Sequence, residues 1–182
     1  ILIYLMKIIC VICMRAGSIQ IKNKNLINLN KQPLMSYTIR SAINSKLFDN
    51  IVVSSDSKKI QNLSKKFGAE VIFSRSKKLS TNFTPKLSVI KDAVIKSEKH
   101  YKKKYDYVFD LDVTAPCRDS NDIKKAFIKF QKSKKNMLVT VTKSRKNPYF
   151  NMLEIKNGNI SLVKKTSKTI VARQKAPVVY DM

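Results

Sequence analysis

Four times along the chain a short β-branched or apolar run gives way to a stretch whose apolar residues recur at helical spacing, and that alternation restricts the fold more than anything else. Residues 8–12, 51–55, 69–73, 107–111 and 137–142 read as strands. Helices are predicted from Pro33 to about Lys46, from a cap at Asp56 to a stop at Gly68, from Pro85 to about Tyr101, and from Asp119 to Ser133. Strands alternating with helices make right-handed βαβ units, a mainly parallel sheet with helices on both faces, and a ligand crevice at the carboxyl ends of the strands.

The loops on that edge carry the chemistry. The run Ile8-Ile9-Cys10-Val11-Ile12 breaks into Met14-Arg15-Ala16-Gly17-Ser18, followed by Lys22 and the pair Lys24-Asn25. Cations beside a small-residue turn with outward N–H groups suit a polyphosphate. The glycine spacing matches neither the P-loop nor the dinucleotide fingerprint. A long polar connection, 74–84, contributes Arg75, and the turn Asp112-Val113-Thr114-Ala115-Pro116-Cys117-Arg118 leads into the last helix. Beyond Asn147-Pro148-Tyr149 the pattern changes to a hairpin, 150–155 and 160–163, turned at Asn157-Gly158. Residues 167–182 show no clear period.

Composition matters mainly for what it excludes. The 182 residues carry no Pro/Gly/Ser linker and read as one domain, with a core at 6–143 and an extension at 144–182. The net charge of +25, 37 basic against 12 acidic side chains, would fit a nucleic-acid partner. Yet lysine is spread through every predicted helix and loop, without the interleaved aromatic residues of a single-strand groove. The apolar start reaches Lys7 too soon for a spanning helix of about 20 residues. It also lacks a secretory n-region and cleavage site, so a cytoplasmic protein with no membrane partner is expected. Cys10 and Cys13 have C-x-x-C spacing, but on a strand they face opposite sides and read as structural. With Cys117 apart and His100 the single histidine, no zinc set can be assembled.

Taken in order, Arg15-Ala16-Gly17-Ser18 with Lys24-Asn25, Arg75 before Thr81-Asn82, Asp112 to Arg118, Asn147-Pro148-Tyr149, and Arg173-Gln174 with Pro177 and Tyr180 resemble the cytidylyltransferases that activate sialic acids and related nonulosonic acids. The resemblance runs from about Met6 to the end, and places the natural start near Met6. It departs at Ile19, Gln20 and Lys22 in the first loop, with Lys22 a substitute for a missing phosphate cation. It departs again at Lys86, Asp112 and Asp181, a drift toward legionaminic- or pseudaminic-type substrates.

The resemblance implies a Rossmann-like nucleotide-diphospho-sugar transferase fold with a hairpin used for dimerisation. It implies a reaction of CTP with an acidic nine-carbon keto sugar to give a CMP-sugar and pyrophosphate. Arg15 and Lys24 would be catalytic; Met14, Arg15, Ala16, Gly17, Ser18, Lys24, Asn25, Arg75 and Lys86 would bind the nucleotide. Asp112, Thr114, Arg173, Gln174 and Tyr180 would meet the sugar. Mg²⁺ is the implied cofactor, and its usual aspartates in the family lie past Met182, so slow or absent turnover is expected of this chain. A ketodeoxyoctulosonate-type enzyme and a basic nucleic-acid-binding module remain the alternatives.

Overall fold

The structure, a computed structural model, describes residues 6–18, 21–167 and 170–182. Expectations attached to residues 1–5, Ile19 and Gln20 lie outside the described residues. The order is β1 (Ile8–Cys13), β2 (Asn28–Leu29), β3 (Gln32–Pro33), α1 (Leu34–Ser45), β4 (Asn50–Ser54), α2 (Lys58–Lys66), α3 (Lys86–Tyr101), β5 (Tyr107–Asp110) and α4 (Ser120–Ser133). Then come β6 (Thr142–Lys143), β7 (Leu153–Lys156), β8 (Asn159–Leu162) and β9 (Tyr180–Asp181). Two compact units divide between Lys129 and Phe130, inside α4.

In the first unit β1 lies between β4 and β5, parallel to both. Its continuous apolar run is explained by burial on two faces, as a parallel strand covered by helices requires. Cys10 and Ile12 pack with Met35, Ile39 and Ala42 of α1, Ile60 of α2 and Ile123 of α4. Ile9 and Val11 pack on the other face with Val52 and Ala93 of α3. Cys13 joins that second face, so the two thiols of the C-x-x-C pair point apart, as expected of a strand. Burial pushes both thiols up, Cys13 to about 11.

Helix ends follow local rules with two shifts. Pro33 sits one position earlier than expected, as the N-cap of α1 with φ −58°. The cap of α2 is Ser57, whose hydroxyl accepts from Ile60 N, because Asp56 is turned toward the first loop instead. Asp119 and Asp122 exchange side-chain to backbone hydrogen bonds at the start of α4.

Two predicted strands, 69–73 and 137–142, each keep a single paired residue, Glu70 and Thr142. Of 69–73 only Glu70 joins the sheet, through a parallel bridge to Val52. Ile72 and Phe73 are consecutive yet both pack on the α3 face, which a pleated strand of period two does not allow, so the chain leaves the ladder there. Glu70 itself is held by Asn50 Nδ2 at 3.0 Å and by the Tyr101 hydroxyl. Residues 137–141 form no ladder, and Met137, Val139 and Val141 are exposed.

In the second unit β6 pairs antiparallel with β9, and β7 with β8 through a turn in which Asn157 (φ 51°) and Gly158 (φ 77°) take the left-handed conformations of a tight hairpin. The hairpin is shorter than the predicted 150–155 and 160–163.

Candidate active site

A cleft of about 530 Å³ opens at the carboxyl end of the parallel sheet, and every residue lining it belongs to the first unit. Cys13 and Arg15 come from the end of β1, Arg75 from the stretch after the Glu70 bridge, and Asp112, Val113 and Thr114 from the turn after β5. Lys24 and Asn25 enter from a 3-10 turn, Lys24–Leu26, and Thr81, Asn82, Thr84 and Lys86 complete the lining from the long connection and the start of α3.

The first loop is a tied structure. Met14 N donates to Ser54 O at 2.9 Å, Ala16 N to Asp56 Oδ1 at 2.9 Å, and Ser18 N to Ala16 O at 3.1 Å. The outward row of N–H groups expected from the sequence is therefore largely used inside the protein. Met14 is fully buried in the core beside α1, and its side chain belongs to packing. Buried Asn25 donates to Arg15 O at 3.0 Å and so holds the backbone from which the arginine extends. Arg15 reaches Asn82 Oδ1 and joins the first loop to 74–84. Lys22, the expected substitute cation, is exposed and does not line the cleft. Gly17 is not in the left-handed region, and a Cβ added there would meet nothing within 4 Å.

Arg75 is buried, and its guanidinium is anchored: Nε donates to Ser54 Oγ at 3.0 Å and Nη2 to Ser54 O. Burial lowers its pKa from the ordinary arginine value. Ser54, the last residue of β4, is thus the seat of the arginine, a role with no sequence signal beyond its place at a strand end.

Lys86 Nζ bridges Asp110 Oδ2 at 2.5 Å and Asp112 Oδ2 at 2.7 Å. Burial pushes the lysine pKa down, but hydrogen bonds to the two carboxylates outweigh it and the net shift is up. Burial raises Asp110, against the opposing pull of Lys86. The sequence motifs do not single out Asp110, whose signal is a carboxylate interrupting the apolar run Tyr107-Val108-Phe109-Asp110-Leu111. Arg118 fastens the Asp112 turn to α1, donating from Nη2 to Asp112 O at 2.8 Å and to Thr38 Oγ1 at 3.2 Å.

The remaining expected sugar contacts lie in the second unit. Arg173 and Gln174 occupy an exposed 3-10 turn, Arg173–Lys175, and Tyr180 is exposed on β9. Asn147 organises its own turn, receiving Tyr149 N on Oδ1 and donating from Nδ2 to Pro177 O, each at 2.9 Å.

The magnesium implied by the family resemblance finds no ready ligand set among the described residues. No three His, Cys, Asp or Glu side chains gather, and the carboxylate pair at the cleft is bridged by Lys86. These residues do not fit a metal site by themselves.

The profile of the family described as cytidylyltransferase matches residues 9–179. The chain belongs to the cytidylyltransferase family. It is 44% identical over 176 residues to CMP-N,N'-diacetyllegionaminic acid synthase of Campylobacter jejuni, covering 97% of this chain and 74% of that protein. It is 42% identical, with the same coverages, to post-translational flagellin modification protein B of Campylobacter coli. Among solved structures, CMP:2-keto-3-deoxy-manno-octonic acid synthetase complexed with CTP superposes with a TM-score of 0.54 at 17% identity, over 69% of this chain and 48% of that one. That likeness is one of fold, an α/β nucleotidyltransferase architecture.

Proposed function

We propose that this cytidylyltransferase transfers the CMP group of CTP to a sialic-acid-like nonulosonic acid and releases pyrophosphate. The observation that carries the reading is the cleft at the carboxyl edge of the sheet, lined by both Arg15 and Lys24, with the loop that bears Arg15 held in shape by Asn25 and Asp56. The name of the legionaminic acid synthase, 44% identical, supports the choice of sugar. An octulosonate substrate is supported only by likeness of fold.

In such a transfer the sugar's anomeric hydroxyl oxygen bonds to the α-phosphorus, its proton is released, and the bond to the β-phosphoryl oxygen breaks. The charge accumulating on the departing pyrophosphate is met by preorganised cations, which cost no reorganisation at the moment of reaction. Arg15 and Lys24 are assigned to the phosphates, and Arg75 to the nucleoside from its fixed seat on Ser54. Asp112 and Thr114, which line the cleft, are assigned to the acceptor sugar, and a homodimer is the proposed working form.

The test is calorimetric titration with CTP in Mg²⁺ buffer, followed by pyrophosphate release with N-acetylneuraminic and N,N'-diacetyllegionaminic acids. Arg15→Ala and Lys24→Ala should each weaken CTP binding by about 1.5–3 kcal/mol, the range of a charge-assisted contact. Unchanged CTP affinity in both variants removes the loop from the site. Preferential binding of nucleic acid with no response to CTP would replace an enzyme by a binding module.

A further inference from the structure

We infer that Lys86 serves the sugar-acid side of the cleft rather than the nucleotide, by holding the Asp112 carboxylate as a fixed hydrogen-bond acceptor for the second substrate. The inference rests on the cytidylyl-transfer reading above.

The cations of the cleft are not equivalent. Lys86 Nζ already has two charged partners, at 2.5 and 2.7 Å. A phosphate that drew it away from these partners would leave the Asp110 side chain, only 28% exposed, as a poorly solvated, unpaired charge. Arg15 and Lys24 make no ion pair among the described residues, so they can meet a polyphosphate without breaking one. Arg75 is fastened to Ser54. The cleft therefore has unpaired positive charge beside the first loop and, beside the β5 turn, a cluster of one cation and two carboxylates that is negative on balance.

Asp112 is fixed at three points. Its carbonyl oxygen accepts from Arg118 Nη2 at 2.8 Å and from Thr38 Oγ1 at 3.3 Å, and its Oδ2 accepts from Lys86. Oδ1 accepts no hydrogen bond among the described residues, while the side chain is 59% exposed and lines the cleft. An ionised carboxylate can only accept. The group that meets Oδ1 must bring a donor, a hydroxyl or the N–H of an acylamino group, and a phosphate or substrate carboxylate is repelled there. An acceptor held this rigidly discriminates strongly, because a ligand lacking the donor leaves it unpaired.

Wild type, Lys86→Met, Lys86→Arg and Asp112→Asn are compared by calorimetric CTP affinity and by KM for the same two sugar acids. Lys86→Met and Asp112→Asn are expected to raise the sugar KM roughly tenfold or more with CTP affinity held within about twofold, as expected for loss of one charge-assisted contact to one substrate. Lys86→Arg keeps the charge and should recover most of the sugar KM, which a general folding defect would not allow. Weakened CTP binding in Lys86→Met with an unchanged sugar KM overturns the inference. Wild type that binds CTP but, by calorimetry, neither of the two acids refutes the proposed function instead, slow turnover being expected of this chain. In that case CTP affinity in Lys86→Met decides alone, and a loss there overturns this assignment.

Discussion

Nothing in the fold requires the glycine at Gly17. Its backbone is outside the left-handed region and open space lies where a side chain would stand, so alanine there creates no clash within the protein. The proposed role of this loop in holding the phosphates would leave that space to the ligand. Gly17→Ala should leave unfolding free energy within about 0.5 kcal/mol of wild type while weakening CTP binding, measured by denaturant melts and calorimetry on the same preparation. Equal losses in both would make the glycine structural. Lys86 and Asp112 carry a related lesson. Each stood out in the sequence as a separate departure from the resembling family, and the structure joins them in one ion pair, 26 residues apart in the chain. Pairings of that kind are invisible to a linear reading, because sequence separation says nothing about which side chains a loop and a helix start bring together.

Among elements, those with a strong local signal were legible. β1, α1, α3 and α4 fall within a residue or two of expectation because buried apolar runs and helical spacing specify them without help from the rest of the chain. The misses, at 69–73 and 137–142, were short apolar runs whose state depends on whether a neighbouring edge accepts them, which no local pattern encodes. The site divides the same way. The loop cations were readable from their place after a strand, whereas the burial of Met14 and the anchoring of Arg75 depend on tertiary packing. α2 offers a direct check of local rules. Gly68 closes it at φ +91°, with Ile43 Cδ1 3.0 Å from where a Cβ would be. Gly68→Ala should destabilise the protein by more than about 1 kcal/mol, since strain and contact act together. Ser57→Ala should cost about 1 kcal/mol through loss of the cap. Urea unfolding of both variants checks this, and a neutral Gly68→Ala would show that the turn relaxes freely.

At the scale of the molecule, charge and apolar surface pull in different directions. A net charge of +25 opposes association. Yet β7 and β8 present an apolar face to water. Leu153 pairs across the hairpin with Leu162 and Ile155 with Ile160, so these four share one side, while Glu154, Lys156, Asn159 and Ser161 share the other. Leu153, Ile155 and Ile160 are all more than 60% exposed. A two-stranded hairpin is marginal in water by itself, and a clean apolar face on one needs a cover. The proposed homodimer would supply that cover, with the same face of a second copy as its simplest form. Sedimentation equilibrium should find wild type dimeric at micromolar concentration, and Leu153→Lys with Ile155→Lys should shift it to monomer without unfolding the first unit, whose core contains neither residue. Raised salt should tighten the wild-type dimer, because screening weakens the repulsion between the basic chains and leaves the apolar contact intact. A wild-type chain that stays monomeric at high salt would show that the hairpin face is covered by something other than a second copy.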